Sequence, residues 1–174
     1  MKKISFLLFM LTFACTTVFA QLTKDQLVAE WTRAKAYTKA YLDAMPADGY
    51  TFKATPEVRS FAGQMLHLAD DNYFFLNKVS DKPSPLGKGV SLEKTVEQNK
   101  EATTKAVLDS YDYAIGAIQG MTDSQFSQEV ALGKLKTTRG LLLAKGFEHQ
   151  THHRGQSTIY LRLKGVTPPP EMLF

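Results

Sequence analysis

The stretch Phe147-Glu148-His149-Gln150-Thr151-His152-His153-Arg154-Gly155-Gln156 decides how the rest of the chain is read. Three of the protein's four histidines fall inside it. His149 and His153 stand four positions apart. On an α-helix that is about 400°, which leaves the two rings roughly 40° apart on one face. Neutral imidazole is the commonest protein ligand for Zn²⁺, Ni²⁺ and related ions. Two imidazoles one turn apart can chelate one ion without bending the backbone. His152 lies three positions from His149, so spacing alone allows either partner. The remaining histidine, His67, is far upstream. Brought in on a facing helix, it completes three nitrogen ligands and leaves positions open for water or substrate. The pattern is not that of a zincin, because Glu148 precedes His149 and neither HExxH nor HxxEH is present. Histidine pairs at helical spacing also occur on plain surfaces and in hydrogen-bonded cores, so the pair alone is a moderate signal.

Working outward, Thr137 or Thr138 is placed to cap a helix that runs to about Lys164, with Gly165 at its end and Pro168 to Pro170 beyond. Leu142, Gly146, His149, His153, Gln156 and Tyr160 follow one another along one face of it. The histidines thus continue a face that starts and finishes apolar or aromatic, which favours an inward site. Upstream, Thr23-x-x-Gln26 is a capping-box pattern. Leu27, Trp31, Ala34, Thr38, Tyr41 and Met45 then form one stripe, and the helix ends before Pro46 and Gly49. Trp31 and Tyr41 read as core, with lining a pocket as the alternative. Thr55 and Pro56 fit an N-cap and first helical position. They predict a second helix, established by Ser60 and running to about Val79. It carries His67, with Gln64 and Asp71 on the same side. Asp71 can orient an imidazole or add a carboxylate ligand, but the ordinary reading is a solvated acid.

Residues 81–90 hold two prolines and two glycines and predict a loop. Ser91 is placed to cap a third helix running to about Gln119, with Gly120 as its stop. Between Met121 and Lys136 the alternation of Phe126, Val130, Leu132 and Leu135 predicts a short irregular or hairpin-like connection. The mature chain therefore reads as all-α, an up-and-down style four-helix bundle in which a crossover connection is allowed, with inward-facing ligands.

With 174 residues, 44% hydrophobic and 22% charged, the chain is large enough for one domain with a real core. The opening residues read as a secretory signal: Lys2 and Lys3, an apolar run from Ile4 to Ala14, and Val18-Phe19-Ala20 before a cleavage point at Gln21. That assigns residues 1–20 to a signal peptide and 21–174 to the bundle, exported to the periplasm or the medium. The apolar run is too short and interrupted to span a bilayer. Cys15, the single cysteine, excludes a disulfide framework. Its acylation is the alternative reading, opposed by Thr12, which stands where lipoprotein signals usually carry Leu. Without residues 1–20 the chain has 19 basic and 17 acidic residues, net +2. That is too mild a charge to argue for nucleic acid or an anionic membrane surface.

Arg59-Ser60-Phe61 before the GQMLHL run, the HQTHHRGQ run, and LRLKG followed by three prolines resemble, in order and over nearly the whole mature chain, the DinB/YfiT-like superfamily of metal-binding four-helix bundles. The resemblance implies a divalent ion, Zn, Ni or Fe, held by His67, His149 and His153. It thereby selects His153 over His152, which becomes an exposed neighbour. It implies a structural ion pair for Arg154, a close helix contact at Gly155, and either a bound water or a core amide for Gln156. Relatives include thiol S-transferases and a thiol-dependent isomerase, so the resemblance implies a small-molecule substrate and activation of a small thiol. Hydrolysis of a small ester or amide and a non-catalytic binding role are the alternatives. Small thiols are scarcer and more oxidised outside the cytoplasm, which weakens the thiol reading for an exported protein. Relatives are often homodimers, and Met172-Leu173-Phe174 can dock on a partner or on its own bundle.

Overall fold

The computed structural model describes residues 22–174. The signal segment and Cys15 lie outside the described residues. Four long helices carry the fold: α1 (Lys24–Ala44), α2 (Phe61–Val79), α4 (Lys100–Gln119) and α6 (Arg139–Leu163). Two short helices, α3 (Leu92–Thr95) and α5 (Asp123–Phe126), and a hairpin of β1 (Glu129–Leu132) and β2 (Leu135–Thr138) fill the connections. The hairpin is antiparallel, pairing Glu129 with Thr138 and Leu132 with Leu135 across a turn at Gly133.

α1 starts as its sequence predicts. The Thr23 hydroxyl accepts from the Gln26 N–H, and the Gln26 side chain accepts from the Thr23 N–H. α2 starts later than Thr55-Pro56 suggested. Ser60 is its N-cap, accepting from the Gly63 N–H. Tertiary pairing overrides the local cap signal here: the Phe61 N–H bonds to the Phe52 carbonyl and the Ala62 N–H to that of Tyr50. Residues 52–60 are thereby folded back as a loop. The third predicted helix is two, since Val96 is extended and Asn99 caps α4 afresh, accepting from the Ala102 N–H. Thr138 caps α6, and Gly165 ends it at φ +73°, the left-handed turn that favours glycine.

Each of α1 and α2 packs on both α4 and α6, so α1 and α2 occupy opposite corners. The side-chain pairs give the directions. His67 meets His149 and His153, while Phe61 meets Tyr160, so α2 and α6 are antiparallel. Ser60 bonds Gln98 and Asn72 bonds Ser110, so α2 and α4 are parallel. Trp31 meets Phe147 and Tyr41 bonds Thr158, so α1 and α6 are parallel as well. The order is up, down, down, up, rather than simple alternation. The crossover is residues 80–99, which must return the length of the bundle before α4 can begin parallel to α2. Asp70 of α2 pins that return: its carboxylate accepts from the Ser91 hydroxyl and the Leu92 and Glu93 amides, capping α3.

The core holds Trp31, Leu42, Met45, Tyr50, Met65, Leu66, Tyr111, Ile118 and Leu143, all fully or almost fully buried. Trp31 and Tyr41 are core residues. Trp31 packs against Tyr111 and Phe147. Met172 packs on its own bundle, where its carbonyl accepts from Arg33 Nη1, while Leu173 and Phe174 are exposed.

The close helix contact falls at Gly146, not at the expected Gly155. A Cβ at Gly146 would lie 2.9 Å from Phe75 Cβ and 3.1 Å from its Cγ, whereas one at Gly155 meets nothing within 4 Å. Gly155→Ala should therefore raise stability by about 0.5–1 kcal/mol through helix propensity alone. Gly146→Ala should lower it by about 1–2 kcal/mol, because α2 must move away. Thermal unfolding of the two variants beside the parent checks this, and the two shifts should have opposite signs.

Candidate functional site

α2 and α6 cross with their polar positions facing, and the histidines meet there. The ring centroids are 4.6 Å apart for His67 and His153, 4.4 Å for His149 and His153, and 5.5 Å for His67 and His149. His152 is exposed and turned to Gln156, whose amide donates to its Nε2 at 2.9 Å. The four-residue spacing thus marks the pair that converges, and the three-residue spacing does not.

Asp71 corrects its ordinary reading as a solvated acid. It sits four residues after His67 and belongs to the cluster. Its Oδ2 is 3.0 Å from His67 Nε2 and 3.4 Å from His149 Nε2. One ligand atom from each of His67, Asp71, His149 and His153 can be chosen so that all four lie within 4.8 Å of one another. Metal–ligand bonds of about 2.0–2.2 Å place ligand atoms roughly 3–4 Å apart, so the set needs only small contraction to share an ion.

The polar atoms here are incompletely satisfied. Asp71 Oδ2 and His149 Nδ1 are buried without a hydrogen-bond partner. Such orphans are rare in folded proteins and call for an explanation. The His153 ring is held from behind, where the Gln64 amide donates to Nδ1 at 2.7 Å. That leaves Nε2 facing the cluster, 3.1 Å from His149 Nε2. Gln64 also bonds Gln156, so Gln156 belongs to a side-chain chain from Gln64 to His152. Glu93, carried by α3, brings Oε2 to 3.8 Å from His67 Nδ1 while its Oε1 accepts from Arg59 Nε.

Burial sets the electrostatics. The His153 ring is pushed down to about 3, first by desolvation and then by the neighbouring histidines. His149 is lowered by the same cause, against the pull of Asp71. Desolvation raises Asp71, opposed by His67 and His149. Two rings whose protonation burial disfavours, beside a third imidazole and a carboxyl group, suit a cation better than they suit protons. The metal-free protein has a corresponding pH dependence. Below the ordinary 6.5 the unfolded chain protonates at His153, whereas the folded ring does not until about 3. Stability should therefore fall as pH drops through that window. Asp71, whose folded value is raised, works in the opposite sense at the acid end. Melting temperatures of metal-free protein at fixed ionic strength should fall less steeply for His153→Gln. Equal slopes in the two proteins would show that His153 titrates normally.

A cleft of about 690 Å³ runs beside the cluster, lined by Val58, Arg59, Gln64, Glu93, Gln156 and Tyr160. A smaller one of about 370 Å³ opens at His149 between Phe75, Lys145 and Glu148. Asp70, Glu93 and the Gln64 bond to His153 were not marked by sequence spacing, because each acts across elements distant in the chain.

Arg154 makes no ion pair among the described residues, against expectation. It is buried, stacked 4.5 Å over Tyr37, and donates to Gln150 Oε1 at 2.7 Å. No helix among the described residues is long and apolar enough to cross a membrane.

Comparison with known proteins agrees with this architecture. YjoA of Bacillus subtilis (strain 168) is 24% identical over 156 residues, covering 84% of this chain and 94% of YjoA. The crystal structure of YjoA superposes with a TM-score of 0.69 at 20% identity, over 84% of this chain and 96% of that one. A DinB-like protein from Bacillus cereus ATCC 10987 gives 0.69 at 16% identity, with the same coverage of 84% and 96%. YfiT from Bacillus subtilis, described as a probable metal-dependent hydrolase with an unusual four-helix bundle topology, gives 0.63 at 16% identity over 86% and 92%. The profile of the DinB family matches residues 15–172, which takes in all four long helices and both arms of the histidine cluster, and the chain belongs to that family.

Proposed function

We propose that this protein binds a divalent metal ion through His67, His149 and His153 and uses it to hydrolyse a small polar substrate. The observation that carries the reading is the convergence of ligand atoms that lack other partners. Asp71 Oδ2 is buried and unbonded beside His67 Nε2 and His149 Nε2 where three imidazoles meet, and Nδ1 on the other edge of the His149 ring is buried without a partner as well. A folded protein tolerates such a cluster when a cation supplies the missing interactions.

A divalent ion supplies Lewis acidity, favouring the deprotonated form of a water or thiol that reaches it and polarising a carbonyl or phosphoryl oxygen. The protein's own residues do the rest. Gln64 fixes the His153 ring. Glu93, held by the capped α3, stands behind His67 and in front of the Arg59 guanidinium. The adjoining cleft has room for a small molecule and offers it Arg59, Gln156 and the Tyr160 ring.

Hydrolysis is preferred over thiol transfer because the structurally similar YfiT is described as a probable metal-dependent hydrolase. Thiol transfer rests on the superfamily resemblance alone. The test is a panel of small esters, amides and phosphoesters, each offered to protein loaded with Ni²⁺ or Zn²⁺, with and without an added thiol. Turnover without thiol, lost on chelation and restored by the metal, is the expected result. Turnover only with thiol would replace hydrolysis by transfer. No turnover by protein that retains one ion per chain would leave a binding function.

A further inference from the structure

We propose that Asp71 is a fourth protein ligand, so that the site is three imidazoles and one carboxylate rather than three imidazoles alone. This rests on the metal-binding reading and goes beyond it. Asp71 Oδ2 lies 3.0 Å from His67 Nε2, a distance at which a ring N–H aimed at the oxygen would make a strong bond. No such bond forms, and Oδ2 is buried without any donor. An orienting carboxylate behind a ligating histidine accepts that ring's N–H. Asp71 does not do this, and its oxygen stands beside the ring nitrogens that face the cluster.

The neighbouring carboxylates are committed elsewhere. Asp70 is spent on the cap of α3, with three donors. Glu93 gives Oε1 to Arg59, and its Oε2 stands 3.8 Å from His67 Nδ1, the other edge of that ring. The i, i+4 spacing of His67 and Asp71 on α2 repeats that of His149 and His153 on α6. Each helix thus presents two donors, one turn apart, to the same point.

The fourth ligand changes what the site can do. A carboxylate removes one unit of the ion's charge, weakening its Lewis acidity relative to an all-imidazole site. Four protein ligands also fill a tetrahedral ion. Room for substrate then requires an ion that takes five or six ligands, which favours Ni²⁺ or Fe²⁺ over four-coordinate Zn²⁺.

The test titrates metal-free wild type, Asp71→Asn, Asp71→Ala and His149→Ala with Co²⁺ and Ni²⁺. It follows heat and the visible absorption of the Co²⁺ form, with circular dichroism confirming the fold of each metal-free variant. The Asp71 variants should bind at least about tenfold more weakly, since losing even an outer-shell partner of a ligand typically costs about 10- to 100-fold. Their Co²⁺ bands should also differ in position and intensity from those of wild type. If both variants match wild type in affinity and spectrum while His149→Ala loses the metal, Asp71 is not a ligand and the three-histidine site stands. If His149→Ala also binds as wild type does, the metal site itself is misplaced and both readings fall together.

Discussion

Replacing His149 with Ala should abolish stoichiometric retention of a divalent ion while leaving the bundle folded. His149 is half-buried at the edge of the cluster, and its Nδ1 has no partner. Its removal therefore breaks no hydrogen-bond network, apart from the Nε2 contact with His153. A three- or four-ligand site that binds with roughly 10–16 kcal/mol loses on the order of 3 kcal/mol with one ligand, or about 100-fold or more in affinity. His67→Ala and His153→Ala should lose metal similarly, although His153 is buried and its removal also leaves Gln64 short of an acceptor. His152→Ala is the control, since that ring is exposed and bonds only Gln156. The readouts are metal content after dialysis and the melting temperature with and without added ion. Wild type should gain about 2.7 kcal/mol at a free ion concentration near 100 times Kd, and the His149 variant almost nothing. Full metal content in His149→Ala and His67→Ala would overturn the site.

The sequence carried that pair because two residues four apart on a strongly periodic helix share a face whatever the tertiary structure does. His67 is different. Nothing in its own surroundings says that it will meet His149 and His153; ligand count allowed it as a third nitrogen from a facing helix, and the family resemblance selected it. Asp71 had the right position on α2, yet its spacing from His67 fits a solvated acid equally well. What separates the readings is burial and the absence of a donor, and both belong to the packed bundle. The same limit explains the misplaced helix boundaries. Thr55-Pro56 satisfies the local rules for a helix start, but strand-like bonds from residues 61 and 62 to 52 and 50 hold that segment as a loop. The break at Val96 follows from topology, since a chain returning along the bundle must turn before α4. Ser60, drawn to Gln98 at 2.5 Å, fixes where it turns.

Arg154→Ala should be strongly destabilising although the residue lies outside the cluster. The guanidinium is a buried cation with no carboxylate beside it among the described residues, and burial lowers its pKa. It is held by the Tyr37 ring at 4.5 Å and by Gln150 Oε1 at 2.7 Å. Tyr111 donates to the same Gln150 oxygen at 2.8 Å and shares a hydrogen bond with Thr38 at 2.8 Å. Two side chains of α6, Arg154 and Gln150, thus tie α1 and α4 together. Truncation removes the cation–π contact, the packed stem and the charged hydrogen bonds to Gln150 and Thr38, for a loss of about 3 kcal/mol. For a chain of this size that is a fall of roughly 6–12 °C in Tm. Arg154→Met separates packing from charge. It fills most of the space and removes the cost of burying a cation, so its loss should be under about 1 kcal/mol. Both variants should keep their metal, because Arg154 faces Tyr37 and Thr38 of α1 whereas its neighbour His153 faces His67 of α2. If Arg154→Met melts as low as Arg154→Ala, the charge itself holds α1 to α6. If neither melts below wild type, the Thr38–Tyr111–Gln150 network holds the three helices without the guanidinium.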